Sequence, residues 1–381
     1  MTTASAMLHG HLIGQPGSRA RLNTPALIVD RAALLRNITK MAAFGHAHGL
    51  AIRPHAKTHK SADIGKAQIA AGAVGLCCAK LGEAEALAEA GIDDIHITSP
   101  VVTPQGIARA TALAGRIPAL SLVVDNEAAL DALADAAGAA GVTLALFVDI
   151  DPGIRRTGVV SLADAVHLAL RIAAHPALVW RGVQYYCGIQ QHIARYADRH
   201  TAIVERTDYL KSIVDALGEA GIAPPVVTGG GTGTHAIDAE LGVLTELQPG
   251  SYIFMDREYG DCDLDGSGTP PFETALMVDA TIISANTPYL STADAGLKAF
   301  SADAGPPPIR AGAAPGSAYV FMGDEHGAVV PPAGETAPAL GLRLTLAAPH
   351  CDPTVNLYDA YHVVEDDRLI AIWPVTARGR S

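Results

Sequence analysis

A lysine between two histidines is the first candidate for chemistry in this chain. It lies in the segment RPHAKTHK, residues 53–60, directly after a short apolar run. A protonated lysine is a poor nucleophile at neutral pH, and cationic neighbours or burial in an apolar environment lower its pKa. The segment therefore favours Lys57 as a lysine that forms a Schiff base, and the alternative is a basic turn exposed to solvent.

A glycine-rich run later in the chain is suited to bind an anion. The run TGGGTGT covers residues 228–234. Glycines allow the backbone to approach an anion closely, and successive N–H groups form a nest for phosphate oxygens. The run is not a Walker loop, because no Gly-Lys-Ser/Thr follows it, and it only half-matches a dinucleotide fingerprint. It predicts a phosphate site, with a flexible turn as the alternative.

A histidine and an aspartate two residues apart form a candidate metal site near the C-terminus. They are His350 and Asp352, separated by Cys351. Alternate residues of a strand face the same side, so on a strand both side chains converge while Cys351 points away. This pair suits Mn²⁺, Mg²⁺, Co²⁺ or Zn²⁺, and the carboxylate favours the harder ions. Two ligands are a weak signal, and a structural histidine is the alternative.

The composition limits the classes of protein to which the chain can belong. It has 381 residues, of which 17% are charged, and a net charge of -12. This charge argues against sequence-independent binding of nucleic acid, which needs clustered Lys and Arg. No apolar run approaches the ~18 residues of a membrane-spanning helix. The five scattered cysteines, without CxxC spacing, predict reduced thiols and a cytoplasmic protein.

Alternating strands and helices predict the fold that positions these residues. Short β-rich runs alternate with alanine-rich helical segments, which is typical of a parallel sheet built from βαβ units. Eight repeats of this kind predict a (β/α)8 barrel over residues 24–260, with a doubly wound sheet as the alternative. The predicted strands cover residues 50–54, 74–78, 94–99, 119–125, 142–150, 179–186, 226–228 and 244–254.

The character of the sequence changes after about residue 260. Proline and glycine cluster at residues 305–308 and 330–333, and helical periodicity disappears. We predict a β-rich domain over residues 261–381, to which the N-terminal arm of residues 1–23 is joined. Its predicted strands cover residues 276–284, 319–322, 342–346 and 369–373. In the barrel, reactive groups belong at the C-terminal ends of the strands, and both Lys57 and the glycine run follow predicted strands.

The motifs together resemble one family of enzymes. The chain is similar to the D-threonine aldolase and D-serine dehydratase family, which shares the alanine racemase fold and uses pyridoxal 5'-phosphate. The resemblance extends from residue 24 to the C-terminus. Its most specific segments are RPHAKTHK (53–60), CCAKLGEAE (77–85), TGGGTGT (228–234), ELQPGSYIFMD (246–256) and HCDPTVNLYD (350–359).

The resemblance implies a role for each candidate cofactor ligand. It implies that Lys57, rather than Lys60, forms the Schiff base, and that Arg156 lies near the phenolic oxygen of the cofactor. Gln248 replaces the arginine that racemases place against the pyridine nitrogen, and this neutral partner does little to set the protonation of the ring. The remaining implied cofactor ligands are Tyr186 beside the ring, Thr232, Gly233, Gly250 and Ser251 at the phosphate, and Tyr252.

The resemblance also assigns the metal and the base. His350 and Asp352 match the metal pair of the aldolases, whereas dehydratases of the family resemble His-x-Cys. We expect Mn²⁺, with Mg²⁺, Co²⁺ or Zn²⁺ as alternatives. His192 matches the histidine of the family that acts as general base.

The predicted activity is retro-aldol cleavage of D-3-hydroxy-α-amino acids, such as D-threonine or D-allo-threonine, to glycine and an aldehyde. The alternatives are dehydration of D-serine or D-threo-3-hydroxyaspartate, cleavage of 3-hydroxy-D-aspartate, and a non-catalytic pyridoxal phosphate carrier. The resemblance further predicts a homodimer with shared active sites, in which the β domain of one subunit closes the barrel of the other.

Overall fold

A computed structural model describes residues 8–381 and contains an eight-stranded parallel barrel. Each barrel strand pairs in parallel with the next one, and an isolated bridge between His55 and Cys77 joins the first strand to the second. The predicted (β/α)8 barrel is therefore confirmed. The barrel strands are β2 (Ala51–Ile52), β3 (Leu76–Cys78), β4 (Asp94–Ile97), β5 (Ala119–Val124), β6 (Leu144–Ile150), β7 (Leu178–Tyr185), β8 (Val226–Gly229) and β9 (Glu246–Leu247).

Helices follow the barrel strands and cover their outer side. Their ends carry ordinary capping residues: the side chain of Asn126 accepts a hydrogen bond from the Ala129 N–H, and Gly141 ends the same helix in the left-handed region with a φ of 67°. Among residues 8–381, no helix is long and apolar enough to cross a membrane. The helices are α1 (Arg31–His48), α2 (Ala62–Ala70), α3 (Leu81–Glu89), α4 (Pro104–Ala114), α5 (Glu127–Ala140), α6 (Leu162–Ala174), α7 (Tyr196–Glu219), α8 (His235–Leu241), α9 (Arg257–Gly260) and α10 (Cys351–Val355).

A second, mostly antiparallel sheet of nine strands follows the barrel. Its central part runs in the order β11, β10, β1, β16, β17. The sequence analysis located four of these strands, and β10 has the bounds that it predicted. The strands are β1 (Ala26–Asp30), β10 (Leu276–Ser284), β11 (Ser291–Ala293), β12 (Ile309–Ala311), β13 (Ala318–Phe321), β14 (Gly327–Val330), β15 (Arg343–Ala347), β16 (Ala360–Glu365) and β17 (Arg368–Pro374).

The first strand of the chain lies in this second sheet and not in the barrel. β1 pairs antiparallel with β10 and parallel with β16. We placed residues 24–260 in the barrel, and this strand departs from that boundary. Its residues are buried on both sides, as in a barrel strand, so the hydrophobic pattern gives no indication of which sheet it joins.

The N-terminal arm packs against the same sheet. The Arg19 guanidinium donates two hydrogen bonds of 2.9 Å to the buried Asp279 carboxylate in β10. Leu12 and Leu22 are buried in a small apolar cluster with Val364 and Leu369. These contacts attach the described part of the arm to the second sheet. The first seven residues of the predicted arm lie outside the described residues.

The segment that carries the candidate metal pair is not a strand. Cys351–Val355 forms the short helix α10, and His350 is its N-cap residue with an extended backbone. The prediction that His350 and Asp352 alternate along a strand was therefore wrong. A proline at position 353 is compatible with the first turn of a helix, and it removes an N–H that a strand would use.

Candidate active site

A cavity of about 560 Å³ opens at the C-terminal edge of the barrel. Its lining contains seven of the residues that the sequence analysis placed at the cofactor: Lys57, Arg156, Tyr186, Thr232, Gln248, Gly250 and Ser251. Gly233, Tyr252, His192, His350 and Asp352 are not part of this lining. The lining also includes His55, Lys80, Thr98, Asp125, Gln184 and Tyr259, which had no assigned role.

Lys57 joins the cavity to the candidate metal pair. It lies in the short 3-10 helix Ala56–Thr58, whose first turn is capped by the His55 ring. The Nζ atom of Lys57 lies 2.5 Å from Oδ1 of Asp352, and the two side chains are 39% and 15% exposed. An amine and a carboxylate are thus brought to one point from segments almost 300 residues apart in the chain.

The pKa of Lys57 is shifted in the direction opposite to the predicted one. Burial acts to lower its pKa, but the charge and hydrogen bond of Asp352, together with Tyr186 and Cys351, outweigh burial, and the pKa of Lys57 is raised. In turn, burial acts to raise the pKa of Asp352, and the Lys57 ammonium holds that pKa below its usual range. We expected cationic neighbours or burial to lower the pKa of Lys57; burial acts in that direction, but the net shift is upward while the amine contacts Asp352.

The two flanking histidines are neutral instead of cationic. Burial lowers the pKa of His59 to about 4 and the pKa of His55 well below its ordinary value. His59 is completely buried, and its Nδ1 accepts a hydrogen bond from the Ser61 N–H. The His55 Nε2 lies 3.1 Å from the Thr98 hydroxyl. The His55 ring therefore lines the cavity and caps the turn that carries Lys57, the His59 ring caps the Ser61 N–H, and neither supplies a positive charge to Lys57.

The other two lysines considered for the Schiff base are held elsewhere. Lys60 Nζ lies 2.6 Å from the carboxylate of the buried Glu83. Lys298 is exposed and lies 2.5 Å from Glu325 in the second domain. Neither lysine lines the cavity, whereas Lys57 does.

The glycine-rich run and the segment after β9 form a cradle at one end of the cavity. The backbone N–H groups of Thr232, Gly250 and Ser251 have no acceptor among residues 8–381. The buried Thr58 hydroxyl also has no partner there, and a Cβ at Gly250 would lie 2.5 Å from its oxygen. Free donors beside a glycine are what a phosphate group requires, so the cradle fits the phosphate of the implied cofactor.

Two predicted cofactor ligands lie behind the cradle rather than at its surface. The Gly233 N–H donates to the Gln191 side-chain oxygen at 2.9 Å. The Tyr252 N–H donates to the Thr232 hydroxyl at 3.0 Å, and the Tyr252 ring is buried with its hydroxyl bonded to Gln68. These contacts hold the glycine run in place.

The wall of the cavity carries a cation and an aromatic ring. The guanidinium carbon of Arg156 lies 5.6 Å from the centre of the Tyr186 ring. The adjacent Arg155 has a positive φ of 56°, and its N–H donates to the Asp151 carboxylate. Asp151 thus fixes the turn after β6 that presents Arg156 to the cavity.

The floor of the cavity is a chain of buried hydrogen bonds. The Gln248 amide nitrogen donates to Thr228 at 2.9 Å, and the Thr228 hydroxyl donates to Glu246 at 2.7 Å. Glu246 in turn accepts a hydrogen bond of 3.0 Å from Arg53. Arg53 therefore belongs to a structural network. Through Glu246 and Thr228, this network holds the uncharged Gln248 at the cavity surface.

Beside Gln248, a second glutamine holds a buried carboxyl group. The Gln184 amide nitrogen donates to Asp149 at 2.8 Å, and burial raises the pKa of Asp149 to about 6. Gln184 lines the cavity, whereas Asp149 lies below it.

A cluster of titratable side chains surrounds His350 next to the cavity. The His350 Nδ1 lies 2.7 Å from an Asp303 carboxylate oxygen and 3.5 Å from a Glu258 carboxylate oxygen. The same Glu258 oxygen lies 3.8 Å from the His192 Nε2. Burial acts to lower the pKa of His350, but the hydrogen bond to Asp303 and the nearby carboxylates raise it.

His192 lies on the other side of Glu258. It ends the 3-10 helix Ile189–His192 after β7, and its ring packs on Tyr259 with 4.4 Å between the ring centres. Burial lowers the pKa of His192 below its ordinary value of 6.5. The ring is therefore neutral at pH 7, as a general base requires.

The residues around His350 fit a metal ion only in part. No group of three or more His, Cys, Asp and Glu side chains in the described part of the chain could hold a metal ion by itself. The two candidate ligands nevertheless lie close enough for Asp352 to influence the pKa of His350. His350 is bonded to Asp303 through Nδ1, so Nε2 can face an ion. A site of this kind relies on water or substrate for its other ligands.

Two carboxylates of this cluster were missed by the sequence analysis. Glu258 follows the segment ELQPGSYIFMD by two residues, so its position beside a recognised motif was an available signal. Asp303 lies in an irregular segment of the second domain with no motif around it. Only the tertiary structure brings it to His350.

Comparisons with known proteins agree with the fold. Residues 29–258 match the family model described as alanine racemase, N-terminal domain, and residues 275–364 match a putative serine dehydratase domain. The chain is 41% identical to a D-threonine aldolase from Arthrobacter sp over 96% of both chains. It is 39% identical to a 3-hydroxy-D-aspartate aldolase from Paracoccus denitrificans (strain Pd 1222), over 96% of this chain and 95% of that one.

A solved structure extends this similarity to three dimensions. The crystal structure of D-threonine aldolase from Filomicrobium marinum superimposes with a TM-score of 0.90 and 36% sequence identity. The match covers 94% of this chain and 96% of that chain.

Proposed function

The chain belongs to the alanine racemase-fold family that contains the D-threonine aldolases and D-serine dehydratases, and we propose that it cleaves D-3-hydroxy-α-amino acids, such as D-threonine or D-allo-threonine, to glycine and an aldehyde. The observation that carries the proposal is the contact between Lys57 and Asp352. It brings an amine that lines the cavity to a carboxylate that is a candidate metal ligand. One small substrate can reach both groups.

Pyridoxal 5'-phosphate and a divalent ion would supply the chemistry that side chains lack. The cofactor, held by Lys57, the cradle at Thr232, Gly250 and Ser251, and Tyr186, supplies an electron sink for the bond that breaks. The ion, held by His350 and Asp352, supplies a Lewis acid for the substrate hydroxyl. We expect Mn²⁺, because the aspartate oxygen favours harder ions.

The side chains of this chain perform the remaining tasks. Lys57 provides the amine that exchanges with the substrate amine. His192 removes the proton of the β-hydroxyl, and Glu258 lies within 3.8 Å to orient the ring. Gln248 is tied to Thr228 and adds no charge to the cavity floor, so a proton transfer from this position is not available. Arg156 and Tyr186 both line the cavity.

Asp352 is the feature that favours cleavage over dehydration. A dehydratase would use the same metal to make the hydroxyl a leaving group, and the dehydratases of the family resemble His-x-Cys at this segment. This chain has Asp352 as the second ligand, and its cysteine at position 351 is fully buried. Dehydration of D-serine or D-threo-3-hydroxyaspartate is therefore the second candidate. The second domain, which carries His350 and Asp352, argues against a non-catalytic carrier.

Cleavage of 3-hydroxy-D-aspartate is a close variant of the proposed reaction. Two unpaired cations, Lys80 and Arg156, lie at the cavity and form no salt bridge within residues 8–381. Either one has the charge that a second substrate carboxylate would need. This observation keeps amino acids with an acidic β-substituent among the candidate substrates.

Product analysis tests the proposal directly. The purified enzyme, loaded with pyridoxal 5'-phosphate and Mn²⁺, is incubated separately with D-threonine and with 3-hydroxy-D-aspartate. Glycine with acetaldehyde, or glycine with glyoxylate, supports cleavage and ranks the two substrates. Ammonia with a 2-oxo acid would show that the chain is a dehydratase.

Replacing His192 with asparagine is expected to lower kcat for cleavage by roughly 10²- to 10⁴-fold, as for loss of a general base. Because burial lowers the pKa of His192, the wild-type rate is expected to stay level at neutral pH and to fall only below the ordinary value of 6.5. This acid limb disappears in the variant. His200, a partly buried histidine that pairs with Glu240 and does not line the cavity, provides the matched control. A pH profile unchanged by the substitution would contradict the assignment.

We also propose a homodimer, formed around the open side of the barrel. Three exposed apolar residues, Val102, Val160 and Ile189, lie in segments that follow barrel strands, on the side of the cavity. Exposed apolar residues grouped on one side are typical of an interface, and two-fold dimers are the commonest oligomers.

The five cysteines are free and buried, which supports a reducing compartment such as the cytoplasm.

The predicted sharing of the metal pair between subunits needs a correction. Lys57 and Asp352 of one chain lie in direct contact, so the second domain reaches the cavity of its own chain. We therefore expect that a mixture of inactive Lys57→Ala and His350→Ala chains recovers no activity. The measurement is turnover of heterodimers purified with two different tags. Recovery of about a quarter to a half of the wild-type rate would place the pair in different subunits.

A further inference from the structure

We propose that Asp303 is the positioning residue of His350: it holds Nδ1 of the imidazole and so presents Nε2 to the divalent ion. This inference rests on the proposed function, in which His350 is a metal ligand. A histidine ligand is commonly fixed by a carboxylate on its other ring nitrogen, which sets both the tautomer and the orientation of the ring.

The contact between the two side chains defines the tautomer. The His350 Nδ1 lies 2.7 Å from Oδ2 of Asp303, the shortest contact that this ring makes. A carboxylate can only accept a hydrogen bond, so Nδ1 carries the proton and donates it. The Nε2 atom donates to and accepts from no residue between 8 and 381. In the neutral ring, Nε2 therefore carries the lone pair that is available to an ion.

Asp303 is itself held in place from the helix that follows His350. The Ser301 hydroxyl donates to Oδ1 of Asp303, the oxygen that does not contact His350. The Ser301 N–H donates to the hydroxyl of Thr354, a completely buried residue of α10, at 3.1 Å. The Tyr358 hydroxyl donates to the Ala299 carbonyl at 2.9 Å. The segment that carries Asp303 is thus attached to the segment that carries His350 and Asp352.

Glu258 is the rival for the same role. Its carboxylate lies 3.5 Å from the His350 Nδ1, which is longer than a good hydrogen bond, and 3.8 Å from His192. The distances therefore pair His350 with Asp303 and place Glu258 between the rings of His350 and His192. Substitution of the two carboxylates should therefore affect metal binding unequally.

The test measures the affinity of the purified, cofactor-loaded protein for Mn²⁺ by the electron paramagnetic resonance signal of free Mn²⁺. We expect Asp303→Ala to raise the Kd roughly 10- to 100-fold, as loss of a carboxylate behind a histidine ligand does. Asp303→Asn keeps an oxygen that can accept a hydrogen bond from the Nδ1–H group, so its Kd should lie between those of the wild type and the alanine variant. Ser301→Ala should also raise the Kd, by a smaller factor than Asp303→Ala does.

The controls separate this role from general damage to the fold. Glu127→Gln removes a carboxylate that pairs with His167 on the surface and should leave the Kd unchanged. Visible absorbance of the bound cofactor and the thermal unfolding midpoint report whether Asp303→Ala is folded, and Asp303→Asn carries the test if it is not. An unchanged Kd in both Asp303 variants, or an equal loss in Glu258→Gln, would overturn the role of Asp303.

His350→Ala distinguishes this failure from failure of the proposed function. If this variant loses Mn²⁺ while the Asp303 variants keep it, the metal site stands and only the positioning role is wrong. If His350→Ala binds Mn²⁺ as tightly as the wild type, the metal site itself is wrong, and the proposal for Asp303 is overturned with it.

Discussion

Replacing Lys57 with alanine is expected to lower kcat for cleavage of D-threonine by roughly 10⁴-fold or more, because the amine that contacts Asp352 at the cavity is lost. The wild type, treated with borohydride and digested, should carry the pyridoxyl label on the peptide that contains Lys57. The alanine variant should carry no label at this peptide. The measurements are steady-state kinetics and mass spectrometry of the labelled peptides.

A matched lysine is available as a control for this substitution. Lys298 also pairs with a carboxylate, Glu325, but it is exposed and lies away from the cavity. Lys298→Ala should keep both the rate and the label. Recovery of the label on Lys60 or Lys298 in the wild type would contradict the assignment of Lys57.

Removal of the divalent ion is expected to abolish cleavage while the visible absorbance of the cofactor persists. Lewis-acid polarisation of the hydroxyl contributes several kcal/mol to a reaction of this kind, so we expect a loss of roughly 10³-fold or more. The absorbance should persist because Lys57, Thr232 and Ser251, which would hold the cofactor, line the cavity, whereas His350 does not. Dialysis against a chelator, followed by activity and absorbance measurements with and without added Mn²⁺, tests this.

The variant that corresponds to metal removal is His350→Ala. It should show the same loss of rate without restoration by Mn²⁺, whereas His200→Ala, a surface histidine paired with Glu240, should behave as the wild type. Full activity of the metal-stripped wild type would exclude a role for the ion in turnover.

Most of the fold could be predicted from the sequence because its strands are short, apolar and separated by alanine-rich helices. β10 was predicted with its observed bounds, since its apolar residues stand out in a segment rich in proline and glycine. β1 is equally apolar, but its neighbours in the sheet are β10 and β16, more than 240 residues later in the chain. No local pattern encodes such a pairing.

The candidate site could likewise be predicted only in part from the sequence. Lys57, Thr232, Gln248 and Ser251 lie in recognisable segments directly after barrel strands, and all four line the cavity. The environment of these residues was harder to predict, as the neutral His55 and His59 show. The charge that governs the pKa of Lys57 comes from Asp352, and burial rather than spacing decides the charge of the histidines.

The position of β1 has a consequence for how the two domains can move. β1 ends at Asp30 and α1 begins at the next residue, so the barrel is attached to the middle of the second sheet at its start and again near residues 261–275 at its end. A hinge rotation would have to bend both connections and strain the ladders on either side of β1. Small sliding motions and loop rearrangements therefore remain as the routes by which substrate reaches Lys57, and the short helices that carry Lys57 and Asp352 stay packed against each other.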